Sequence, residues 1–178
     1  MKKFLSVVGL LIFLLAGSNA AEAKINLFAR PRYVPALSFY GDSGKAYRLS
    51  DFQENLLMAV VWSRYCVPCI ADLRNLSKFV EQTKDQGIKV ILISPEKEWK
   101  TPDERRAFMK RLGAKNLVSF LDRRGNFRDG MGIQVTPTTL LINKDGEEIG
   151  QITGAVEWDN SKVVQYMLKL KDKVSQEL

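Results

Sequence analysis

Two stretches of the chain are apolar almost without interruption. Residues 56–62 (LLMAVVW) and 88–94 (IKVILIS) set aliphatic side chains one after another, as a strand buried on both faces does. Between them the period lengthens: Ile70, Leu73, Leu76, Ser77 and Val80 recur at helical spacing, which predicts a helix from about residue 70 that ends near Gly87. A second helix is predicted to start at TPDE, residues 101–104, where Thr101 caps, Pro102 fills the first turn and Glu104 closes a capping box. Its apolar face is Phe108 and Leu112, and Gly113 stops it. A third covers 159–174, with Val163, Val164, Met167, Leu168 and Leu170 on its apolar side.

Shorter strands complete the pattern. ALSFY (36–40) and AYRLSDF (46–52) flank the turn GDSGK, LVSFL (117–121) precedes the turn DRRGN, and PTTLLIN (137–143) folds back through a hairpin at Asp145-Gly146. The predicted order, β-β-β-α-β-α-β-β-β-α, places parallel crossovers before a terminal antiparallel hairpin. That is an α/β class with a mixed sheet. The 178 residues suffice for one domain with a real core.

The N-terminus has a different character. Lys2 and Lys3 precede an apolar run from Phe4 to Leu15, and small residues then offer cleavage after Ala20 or Ala23. This is the layout of a secretory signal peptide, residues 1–23, with an uncleaved N-terminal anchor as the weaker alternative. The run is short of the about 20 residues a membrane span needs, so no stable span is expected after cleavage. Residues 24–33 read as a lead-in and 34–174 as the domain. Cleavage after Ala23 removes Lys2, Lys3 and Glu22 and lowers the net charge from +7 to +6, which suits an acidic partner or a membrane surface. The basic residues are scattered rather than clustered, which does not fit nucleic acid. The pairs at 105–106 and 123–124 are expected on solvated faces.

Chemistry enters with WSRYCVPCIADL, residues 62–73, which holds both cysteines, Cys66 and Cys69. Haem attachment requires C-x-x-C-H, but residue 70 is Ile and the chain has no histidine. Structural zinc requires four ligands, which one pair does not supply. Two thiolates can hold Cu(I). A structural bridge closing so short a loop contributes only about 2 kcal/mol before strain. A redox couple fits best in an exported chain. Cys66 sits where a buried strand gives way to a helix, facing free backbone N–H groups and the positive end of the dipole. Both favour the thiolate that attacks disulfides, and Arg64 adds positive charge. Cys69, one turn in and more shielded, is placed to resolve a mixed disulfide. Pro68 suits the first turn.

Strand, C-x-P-C, helix, and a Thr-Pro ahead of a strand together resemble the thioredoxin fold. More closely, residues 34–172 resemble the exported TlpA/ResA-like thiol-disulfide oxidoreductases. VPALSFYGDSGKAYRLSDF is similar to that family's N-terminal hairpin, VVWSRYCVPC to its W-x-x-x-C-x-P-C motif, residues 94–116 to its insertion, and GIQVTPTTLLINKDG to its cis-proline segment. The resemblance implies a thioredoxin-like fold with an N-terminal β-hairpin and a central insertion. It implies a cis Thr136–Pro137 bond facing the cysteines, and a substrate groove formed by Arg64, Tyr65, Val67, Pro68, Val135, Thr136 and Gly154. Asp72 falls where many relatives carry Glu, and is either a proton carrier for Cys69 or a solvated helix acid.

Three departures leave the redox potential open: Tyr65 replaces a usual Trp, Val60 a buried Asp of thioredoxins, and Arg64 a small residue. Trp62 is expected as core packing beneath the site, Trp99 and Trp158 as satellite packing. The reading is a periplasmic thiol-disulfide oxidoreductase with Cys66 as nucleophile and Cys69 as resolving thiol. Pro137 shapes its site, and it uses no cofactor beyond the Cys66–Cys69 disulfide and binds no metal. Its expected partners are client proteins with cysteines or disulfides, of the cytochrome c or copper-oxidase maturation kind, and a membrane thiol electron donor. The alternatives are a non-catalytic Cu(I)-binding or chaperone protein and a disulfide-forming oxidant.

Overall fold

The computed structural model describes residues 23–52 and 54–176. The signal-peptide reading therefore lies outside the described residues, except for Ala23. Eight strands and four helices follow one another as β1 (Lys24–Arg32), β2 (Phe39–Tyr40), β3 (Ala46–Tyr47), β4 (Leu56–Val61), α1 (Val67–Gln82), β5 (Ile88–Pro95), α2 (Pro102–Arg111), β6 (Val118–Asp122), α3 (Asn126–Gly130), β7 (Thr138–Asn143), β8 (Glu148–Thr153) and α4 (Ser161–Gln176). They build one mixed sheet in the order β1-β8-β7-β4-β5-β6-β2-β3. β4 pairs parallel with β5 and antiparallel with β7, so it sits at the centre, and all six of its residues are buried.

The alternation along β4 sorts the core into two layers. Leu56, Met58, Val60 and Trp62 pack with Leu73, Leu76 and Phe79 of α1, Met109 of α2 and Met167 and Leu170 of α4. Leu57, Ala59 and Val61 face the other way, against Phe120, Phe127 of α3 and Phe39 of the small hairpin. The continuously apolar run is thus explained by helices on one side and an aromatic layer on the other.

The differences from the sequence expectation are local. The lead-in of residues 24–33 supplies β1, an edge strand on β8. Almost all of its side chains are exposed, so no hydrophobic alternation announced it; its backbone bonds hold it. α3 occupies the segment after the DRRGN turn, capped by Asp122, whose carboxylate accepts the Phe127 and Arg128 amides. α1 ends at Gln82 rather than near Gly87. A turn follows in which Gly87 has φ +75° and an added Cβ would lie 2.8 Å from Asn55. Arg105, expected on a solvated face, is 3% exposed.

Candidate active site

α1 starts at the C-terminal end of β4, as the change of period demands. Cys66 is its N-cap, in extended conformation, and Cys66 Sγ accepts the Cys69 amide at 3.2 Å. A sulfur thus fills the place that Ser, Thr or Asp usually takes at a helix start. The two cysteines are joined as a disulfide. Cys66 is half-buried, whereas Cys69 is 1% exposed among Trp62, Leu73 and Trp158. No acidic residue stands in the first turn of α1, so nothing on the helix itself offsets the dipole where Cys66 sits.

The Thr136–Pro137 bond is cis. The Thr136 carbonyl oxygen lies 3.4 Å from Cys66 Sγ, and Pro137 is buried. Gly154, at φ 95°, donates its amide to the Pro137 carbonyl. Two of the expected groove segments therefore meet at one sulfur, and the third, at Gly154, is tied to them through Pro137. Tyr65, Val67 and Val135 carry exposed apolar side chains beside it, and Pro68 is exposed too. Below them a cavity of about 310 Å³ includes Tyr65, Cys66, Thr136, Glu98, Asp122 and Arg128 in its lining. Arg128 props the segment leading to the cis bond, donating to the Ile133 and Gln134 carbonyls.

Asp72 is not a solvated acid. It is 1% exposed, and its Oδ1 accepts both the Val156 amide at 2.7 Å and the Trp158 indole N–H at 2.8 Å. Burial pushes its carboxyl up to about 7 against the opposing pull of those two bonds. Trp158, expected as satellite packing, is fully buried and holds this acid in place.

Arg64 does not line the cavity beside Cys66. Its Nη1 donates to Glu104 Oε1 at 2.6 Å and to the Glu98 carbonyl at 2.9 Å. Its guanidinium lies over Trp99, 4.6 Å from the ring centre. The Arg64 bond holds the Glu104 carboxyl below its ordinary range. Glu98 is a site residue that no sequence pattern flagged, as are Asp122 and Arg128. The Glu98 carboxylate takes the Ser63 hydroxyl at 2.7 Å and the Arg64 amide at 2.9 Å, fixing the loop just ahead of Cys66. Among the described residues no three Cys, Asp or Glu side chains form a metal-ligating group, and no helix is long and apolar enough to cross a membrane.

A half-buried sulfur at a helix start, a shielded partner sulfur bonded to it and, beside the first, the Thr136 carbonyl ahead of a cis proline define a thioredoxin-like domain of the thiol-disulfide oxidoreductase class. The chain belongs to the Redoxin family, whose model matches residues 31–168. It is 27% identical over 113 residues to the thiol-disulfide oxidoreductase ResA of Halalkalibacterium halodurans, covering 64% of this chain and 62% of that protein. It is 26% identical over 153 residues to ResA of Bacillus subtilis, covering 86% of this chain and 82% of that one. The crystal structure of the pneumococcal exposed lipoprotein thioredoxin Etrx1 from Streptococcus pneumoniae superposes with a TM-score of 0.60 at 25% identity, over 75% of this chain and 98% of that one.

Proposed function

We propose that this chain is an exported thiol-disulfide oxidoreductase that works as a reductant of client disulfides. The observation that carries the reading is the pairing of Cys66, capping α1 with its sulfur, with a buried Asp72 one turn behind Cys69. In the reduced protein the Cys66 thiolate attacks one sulfur of the client bond. A mixed disulfide forms and one client thiolate leaves. Asp72, ionised, takes the proton of Cys69 directly or through water on Oδ2, the oxygen that accepts neither Val156 nor Trp158. The Cys69 thiolate then attacks Cys66 Sγ, the second client thiolate leaves, and two electrons have passed to the client. The Cys66–Cys69 disulfide that results is the state the structure holds. A membrane thiol donor restores the dithiol.

The direction is supported by the charges around Cys66. A strong oxidant needs its reduced form heavily stabilised through a very acidic nucleophile. Here the Arg64 cation is matched by Glu104, and the Glu98 carboxylate is held by Ser63 and Arg64, three and two residues ahead of the nucleophile. Neither arrangement adds net positive charge. Export rests on the N-terminal run, and clients of the cytochrome c or copper-site maturation kind rest on the resemblance. Equilibration of the purified protein against glutathione buffers tests the direction. The expected potential lies nearer about −270 mV than about −120 mV, and a value above about −150 mV makes the protein an oxidant. Cys69→Ala expressed in living cells holds clients on Cys66 for identification.

A further inference from the structure

Among the described residues Arg105, on α2, is the only buried arginine. Its Nη2 donates to Asp42 in the turn between β2 and β3, and the other oxygen of Asp42 takes Arg106 Nη1. One carboxylate is thus shared by two guanidinium groups. Arg106 also reaches Asp103 at 2.6 Å, but Arg105 has no second acid. Its Nη1 is buried without an acceptor, and so is the hydroxyl of Ser119 on β6. A buried donor left unpaired is costly, more so on a charged group.

Both residues line one cleft, of about 370 Å³, between α2 and β6. Arg106, Lys110 and Lys115 form its wall, Met109 and Leu117 its apolar floor, and Asp42 is its single acid. Lys110 follows Arg106 by four residues, one helical turn on. Neither Lys110 nor Lys115 has an ion-pair partner among the described residues. Four cations therefore surround a space that holds one carboxylate, and two of the side chains that line it carry a buried polar atom with no partner. Water satisfies a donor but leaves the charge unmatched. A multiply charged oxyanion does both, and Arg and Lys are the side chains that recognise one.

We propose that the cleft between α2 and β6 binds a tetrahedral oxyanion of the phosphate or sulfate class, with Arg105 and Ser119 as its buried partners and Arg106, Lys110 and Lys115 as its charged wall. The site shares no lining residue with the cavity beside Cys66, so it is independent of the redox reading. The same chemistry is offered by a free ion and by a phosphate headgroup of a lipid.

Titration calorimetry of the purified protein with inorganic phosphate, and separately with sulfate, tests the proposal at an ionic strength held constant with chloride. The expected result is one saturable site for which the two ions compete. Lys110→Ala with Lys115→Ala, two exposed positions, weakens binding by about tenfold or more, since each removes a charge-assisted contact. Ser119→Ala weakens it less, and Arg105→Gln removes it. If Arg105→Gln does not fold, the lysine pair and Ser119→Ala carry the test. Cosedimentation with vesicles of phosphatidylglycerol in phosphatidylcholine, abolished by free phosphate, assigns the headgroup as the source. No retention on vesicles assigns the free ion. Heats that do not saturate, or that are the same in the double lysine variant, overturn the proposal.

Discussion

In α1 and in α2 the residue ahead of the helix is extended, a proline occupies the first turn, and the capping side chain accepts the amide three residues on. Cys66 Sγ takes the Cys69 amide at 3.2 Å, and Thr101 Oγ takes the Glu104 amide at 3.1 Å. The difference lies in the acids. α2 carries Asp103 and Glu104 in its first turn, and Glu104 accepts the Lys100 amide and Arg64 besides. α1 carries no acid in its first turn, and its nearest one, Asp72, is buried five residues beyond Val67. α2 neutralises its own dipole and becomes a structural helix start. α1 leaves its dipole to a sulfur and keeps its carboxyl away from that end, where burial makes it a proton holder.

The largest effect is expected where the buried acid is removed. Asp72→Asn keeps an oxygen for Val156 and Trp158 but takes no proton. Disulfide exchange slows by about 10²–10⁴-fold, as for loss of a general acid or base. The inflection of the pH–rate profile near the acid's raised value disappears. A profile that keeps its shape in the variant makes Asp72 a structural acid only.

The same substitution has a stability signature. Burial raises the Asp72 carboxyl from 3.8 to about 7 in the folded protein. Between those values the folded state binds the proton and the unfolded state does not, so the contribution is present below about pH 4 and lost as the pH rises through about 7. The rise corresponds to on the order of 4 kcal/mol. Denaturant unfolding of the oxidised protein should therefore show Asp72→Asn gaining on the parent between pH 4 and pH 8. Parallel stability curves would show that the acid is not held protonated by burial.

Thr101→Ala removes the ordinary cap of α2. The expected cost is about 1 kcal/mol, read as a lower denaturant midpoint, with no change in the alkylation rate of Cys66. A changed alkylation rate would mean that the two helix starts are coupled through Glu104 and Arg64.

The contrast between the helices also marks what the sequence could convey. The run 56–62 and the change of period after Cys69 are local signals, and they placed β4, the start of α1 and the cysteine pair between them, while the cis bond at Thr136–Pro137 was implied by the resemblance that the Val-Thr-Pro-Thr segment carries. What pattern could not convey depends on partners distant in the chain. Asp72 was equally readable as surface or buried because its partners, Val156 and Trp158, lie 84 and 86 residues away. Arg64 read as a free cation because its acid, Glu104, is 40 residues on in the insertion. Arg105 read as solvated because Asp42, which draws it inward, is 63 residues back. β1 was silent for a different reason: an edge strand with exposed side chains is held by backbone bonds, which carry no residue signature.

The smallest effect is the most direct test of the comparison, since it gives α1 what α2 already has. Val67 is the first helical residue of α1 and is 78% exposed, so Val67→Glu adds a carboxylate to the first turn without disturbing the core. In the oxidised protein that charge faces only the helix end, and it stabilises by about 0.3–1 kcal/mol. In the reduced protein it stands beside the Cys66 thiolate and opposes it by a similar amount. Cys66 should then alkylate about two- to fivefold more slowly at neutral pH. Cys69, 1% exposed, stays protected in both proteins. The effect should shrink as salt is added, because both charges are near the surface. The dipole term is common to both redox states, so the repulsion of the thiolate alone should move the potential toward a stronger reductant. An unchanged alkylation rate at low salt would mean that the free dipole of α1 does not set the reactivity of Cys66, and the contrast with α2 would lose its chemical meaning.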